Sequence, residues 1–106
     1  MVDIKQLYSE LVSLGMPVAY HHFNQAPASL PYIVYYAEGY ESTYADSVNY
    51  QNVIQLRIEL YSDSKNFEKE NAIEDLLTNL ELPYAKDETW IDEEQIWMII
   101  YELEVL

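Results

Sequence analysis

Histidines, serines and paired carboxylates are the side chains that could do chemistry here, and each is arranged against it. His21 and His22 are the only histidines in the chain. They are adjacent in a run rich in β-formers, and neighbouring strand residues point to opposite faces, so regular β geometry keeps them from sharing one metal ion. No HExxH or HxH spacing and no cysteine completes a metal site. None of the serines sits in a Gly-x-Ser-x-Gly elbow. With only Gly15 and Gly39, neither a P-loop nor a dinucleotide fingerprint can be written. Asp87-Glu88 and Glu93-Glu94 offer carboxylates for acid–base work, but adjacent acids at a turn are ordinarily hydrated charge. The reading is non-enzymatic: no catalytic residue, no metal and no cofactor.

Composition sets the frame around those residues. The chain has 106 residues, 19 acidic and 5 basic, for a net charge of −14, and half of them are hydrophobic. That length fits one domain, 1–106, and the apolar half argues for a folded core. The longest apolar stretch of the second half, Ile96 to Tyr101, is far short of the ~20 residues that span a bilayer. Met1-Val2-Asp3 lacks a basic start and an apolar signal core, so no export signal and no membrane partner are expected. The absence of cysteine excludes disulfide stapling and thiolate chemistry and fits a reducing compartment. Clustered Lys and Arg, which backbone binding to nucleic acid requires, are missing. The charge is also uneven: residues 1–53 carry −4 and residues 54–106 carry −10.

The elements that must position any surface are legible in the periodicity. Ile4, Leu7, Tyr8, Leu11, Val12 and Leu14 fall at helical spacing behind Asp3 as N-cap, with Gly15 and Pro17 closing the helix. Val18 to Phe23 reads as a short strand and Asn24 to Pro31 as a loop. Tyr32 to Tyr40 is a strong strand, the polar segment Glu41 to Asn49 a long hairpin loop, and Tyr50 to Tyr61 a strand. In the last of these Ile54, Leu56, Ile58 and Leu60 alternate with Gln55, Arg57 and Glu59, one face buried and one wet. A second helix runs from about Phe67 to about Leu82, where Pro83 ends it. Tyr84 to Ile91 and Gln95 to Val105 are the closing strands. The expected fold is α+β, in the order α-β-β-β-α-β-β, a mostly antiparallel sheet with two helices packed on one face.

Tyrosine carries the remaining information. Six of the 11, namely Tyr32, Tyr35, Tyr36, Tyr40, Tyr44 and Tyr50, fall within 19 residues. Tyrosine joins a large apolar body to a polar tip and concentrates at protein contacts. Tyr32, Tyr35 and Tyr36 suit a strand on packing grounds alone. Tyr40 and Tyr44 flank a polar segment with no core to bury them, which marks them, with Asp46 and Tyr50, as candidate interface residues.

The order of motifs resembles a known family. Gly15-Met16-Pro17-Val18-Ala19-Tyr20-His21-His22-Phe23 followed by Leu30-Pro31-Tyr32-Ile33-Val34-Tyr35-Tyr36 is similar to small tail-component proteins of long-tailed phages and prophages. So are Tyr44-Ala45-Asp46-Ser47, Ile58-Glu59-Leu60-Tyr61 with Lys65, Trp90-Ile91-Asp92-Glu93-Glu94, and Tyr101-Glu102-Leu103-Glu104-Val105. The likeness runs from about Leu7 to Val105 and rests on packing motifs, not on chemical signatures.

The resemblance implies a tail terminator, also called a tail completion or tail-to-head joining protein. Such proteins form a ring, usually a hexamer, that caps the tail tube and presents a surface to the neck or head-completion protein. They are structural, take no cofactor, and belong to the virion tail after assembly in the host cytoplasm. On this reading the Tyr40–Asn49 segment reaches a neighbour or the tube, Asp46 is a contact or lumen residue, and acids around the lumen let DNA pass without specific binding. The alternative is an acidic DNA mimic that inhibits a host nucleic-acid-binding protein. It requires carboxylates spaced like phosphates, roughly one per 3.4 Å along a strand, on one continuous face.

Overall fold

The computed structural model describes residues 2–25, 29–45 and 48–106, with side chains given outside 42–52. The N-terminal helix α1 (Ile4–Val12) is opened by Asp3, whose carboxylate accepts from the Gln6 N–H at 2.8 Å. It stops at Val12, short of the expected Leu14. The chain then turns through Gly15, at φ +87°, a left-handed conformation that glycine adopts without strain. Leu7 and Leu11 form its fully buried stripe.

Five strands follow in the sheet order β1-β2-β3-β5-β4. β1 (Val18–Tyr20) pairs in parallel with β2 (Tyr32–Ala45), and every other pairing is antiparallel. β3 (Val48–Ser62) is the central strand, flanked by β2 and by β5 (Ile96–Val105), and β4 (Tyr84–Ile91) is the far edge. The expected α+β class, element order and one-sided helices all hold. Ile33, Tyr35, Leu56, Ile58, Leu60, Ile99, Tyr101, Leu103 and Val105 face the helices and pack against Leu7, Leu11, Ile73 and Leu77. The chain ends are tied together, Ile4 N–H donating to Leu106 O at 2.8 Å and Leu106 N–H to Val2 O at 3.0 Å.

Helix α2 (Phe67–Asn79) starts at Asn66, whose side chain accepts from the Lys69 N–H at 3.1 Å, with Glu68 and Glu70 in its first turn. It ends three residues before the expected Leu82. Leu80 is the C-cap, Glu81 takes φ 58°, Glu81 N–H donates to Thr78 O, and Leu82 N–H donates to Leu77 O. That pair of backbone bonds is a Schellman motif, with buried Leu82 as its apolar anchor. The residue at the left-handed position is glutamate where glycine is the usual choice.

One expectation is overturned. Glu41 to Asn49 is not a long loop: β2 continues to Ala45 and β3 resumes at Val48, with Glu41↔Val53, Ser42↔Asn52 and Thr43↔Gln51 in register. The polar composition suggested a loop, yet Thr, Tyr and Val suit a strand and neither Gly nor Pro interrupts the segment. A strand beyond the body also has no reason to alternate apolar and polar residues.

Candidate subunit interface

The 14-residue β2 and 15-residue β3 outrun the rest of the sheet. β5 pairs with β3 only from Ile54 to Ser62, and β1 pairs with β2 only from Ile33 to Tyr35. Past Gly39 and Ile54 the hairpin is therefore a two-stranded ribbon with both edges open among the described residues. Seven residues, Gly39 to Ala45, at about 3.3 Å each carry it roughly 20 Å, and the molecule measures 51 × 27 × 23 Å. A bulge at Glu38, where the register shifts between Ala37 and Gly39, marks where the ribbon leaves the body. Gln55 Nε2 donates to Glu41 Oε1 at 2.7 Å and clips the two strands together there.

The ribbon differs chemically from the rest of the chain. From Gly39 to Gln55 the only charged residues are Glu41 and Asp46, in a protein that carries −14, and the remainder is rich in Tyr, Ser, Thr, Asn and Gln. Low charge with tyrosine is the composition of contact surfaces. Tyr40 lies opposite Ile54, so it shares the helix side of the sheet, but it is 70% exposed because the helices do not reach that far. Tyr44 pairs with Asn49, and Tyr50 falls at the second register shift, also within the ribbon. Three of the four expected site residues are thus brought onto one projecting element. Asp46 lies outside the described residues.

At the ribbon's base a shallow depression of about 520 Å³ is lined by Glu38, Gln55, Tyr84, Glu102 and Glu104. Burial raises the Glu38 carboxyl above its usual range, and a hydrogen bond shared with Glu102 raises it further. Arg57 lies 3.7 Å from Glu38 and works in the opposite direction.

The face of the sheet without helices is less wet than its alternation suggests. Glu59 is only 6% exposed. It accepts from Arg57 Nε at 2.7 Å, Tyr61 Oη at 2.7 Å and Tyr36 Oη at 3.2 Å. Burial first, then the Glu59 carboxylate, pushes the Tyr36 and Tyr61 hydroxyls upward. Sequence reasoning missed this cluster, although Arg57, Glu59 and Tyr61 stand two apart and so share a face. A second network joins α2 to the sheet: Glu70, fully buried, receives Lys65 at 2.8 Å and Lys86 at 3.0 Å through Oε1, while its Oε2 has no partner. Glu74 receives Lys86 and the Tyr101 hydroxyl, both at 2.8 Å.

The histidines are also placed differently from expectation. β1 ends at Tyr20, and His21 takes φ 66°, a left-handed turn held by His21 N–H to Tyr35 O and His22 N–H to Tyr20 O. The turn removes the strand alternation and brings the two Nδ1 atoms to 3.0 Å. No helix among the described residues is long and apolar enough to cross a membrane. No protein-family model matches the chain, and no curated protein matches it.

Proposed function

We propose that this chain is a tail-terminator-type structural subunit. It closes into a ring with copies of itself, caps a phage tail tube and joins it to the head–neck side. The observation that carries this reading is the weakly charged, tyrosine-bearing ribbon that leaves a compact body with both its edges open. A two-stranded ribbon is marginal by itself in water, and open edges invite strand addition by a neighbour. Contact between that ribbon and a different surface of the next copy is head-to-tail, and such contacts close a ring when the rotation per subunit divides a full turn. Six copies is the ring size that the resemblance implies. The role is non-enzymatic, in the virion tail after assembly in the host cytoplasm.

Charge supports the same reading. Carboxylates facing a lumen repel a passing duplex, so the genome slides without being gripped. The DNA-mimic alternative needs a continuous phosphate-like row. Here Glu59 and Glu70 are buried, and Glu38, Glu74 and Glu88 are engaged by Arg57, Lys86 and Lys65, which breaks such a row. Electron microscopy of particles assembled without this protein tests the proposal. Overlong or headless tails are expected, and normal tails joined to heads would contradict it.

A further inference from the structure

Among the described residues the paired imidazoles bring two nitrogen ligands within hydrogen-bond distance of each other at the surface. We propose that His21 and His22 form a two-point chelate for a divalent transition-metal ion such as nickel(II). This inference is independent of ring assembly. Its basis is distance. The two Nδ1 atoms stand 3.0 Å apart, joined by a hydrogen bond, and that is close enough for both to reach one ion through metal–nitrogen bonds of about 2.05 Å once the shared hydrogen has left that position. Imidazole nitrogen suits nickel(II), copper(II) and zinc(II) alike.

The backbone supplies the preorganisation. His21 N–H to Tyr35 O at 2.8 Å and His22 N–H to Tyr20 O at 2.7 Å fix the turn. The His21 ring lies 5.6 Å from the Tyr36 ring, and the two imidazoles meet at 89°. Both histidines are exposed, so an ion can reach them without any opening of the core. They line a groove of about 320 Å³ with Phe23, Tyr32, Tyr61 and Glu94, and Glu94 is the one acid on its wall. Among the described residues no set of three or more His, Cys, Asp and Glu is disposed to hold a metal. The site is therefore open, with water completing the coordination sphere, and suits an exchangeable ion better than a structural one.

Proton bookkeeping is simple. In the metal-free pair one Nδ1–H donates to the other Nδ1. In the chelate both Nδ1 lone pairs bind the ion and both Nε2 atoms carry hydrogen. A tautomer changes, so loading the neutral pair releases no proton, while protonation of either ring opposes binding.

Calorimetric titration of the whole protein at pH 7.5 with nickel(II) and separately with zinc(II) tests the proposal. His22→Ala and His21→Asn are the variants, asparagine being chosen because it tolerates the left-handed backbone. Far-UV circular dichroism checks that both fold. One nickel(II) per chain is expected, with a loss of about tenfold or more in each variant. Nickel binding that survives in both variants would assign the ion to surface carboxylates and overturn the proposal. So would the failure of the parent protein to bind either nickel(II) or zinc(II).

Discussion

Glu59 accepts three hydrogen bonds within 3.2 Å while almost wholly buried, so its removal strands three donors together. Glu59→Ala is expected to lower unfolding free energy by about 2–3 kcal/mol, the lower end for a broken buried pair because Arg57 keeps some contact with water. Urea denaturation measures this, and a loss below ~0.5 kcal/mol would mean that water replaces the carboxylate. The Glu74 network makes a pH claim. Burial alone would raise its carboxyl, but the bonds from Lys86 and Tyr101 outweigh that and hold it below the usual carboxylate range. A lowered folded-state pKa contributes stability above the unfolded value of about 4.5, which is lost as pH falls through the folded value. Lys65 and Lys86 are held high by their carboxylates against burial, so their contribution is present at neutral pH and fades as pH rises past about 10.5. Thermal melts between pH 3 and pH 6 should fall less steeply in Glu74→Gln than in the parent protein. Parallel curves would remove Glu74 from the acid response.

At the scale of elements, what a core imposes was legible and what lies beyond the core was not. The alternation of Ile54, Leu56, Ile58 and Leu60 located β3 because every second residue faces the helices. The ribbon past Ile54 lies beyond the reach of β5 and carries no such signal, and its polar residues read as a loop. The left-handed turn at His21 was hidden for a similar reason: neither Gly nor Pro marks it, and a tertiary bond from His21 N–H to Tyr35 O helps hold it. Glu81 is the local misfit at the end of α2. Its left-handed backbone disfavours a side chain, and its charge opposes the negative end of the helix. Glu81→Gly is expected to stabilise the fold by about 0.5–1 kcal/mol despite the entropy of glycine, readable as a shift of the urea midpoint at constant slope. Tyr40→Ser should leave stability within ~0.5 kcal/mol, since the ring is already exposed. If the ribbon is the contact element, the same change weakens self-association. Association unchanged in Tyr40→Ser would move the interface elsewhere.

For the whole molecule the controlling quantity is charge. Arg57, Lys65 and Lys86 are each within 4 Å of two carboxylates, so the cations are largely engaged and the surface is overwhelmingly anionic. Self-repulsion of −14 charges is screened once the Debye length drops below ~10 Å, so melting temperature at pH 7 should rise from low salt to 0.3 M sodium chloride. A fall would mean that the ion pairs matter more than the repulsion. The ribbon is the exception in this field, a nearly neutral arm on an acidic body, and the proposed assembly rests on that contrast. The most direct test is the mass of the purified protein by multi-angle light scattering over a concentration series, alone and with tail-tube protein. A closed oligomer of one size is expected, six copies if the resemblance to tail terminators holds, formed alone or on the tube. A strict monomer that ignores the tube at every concentration would contradict it.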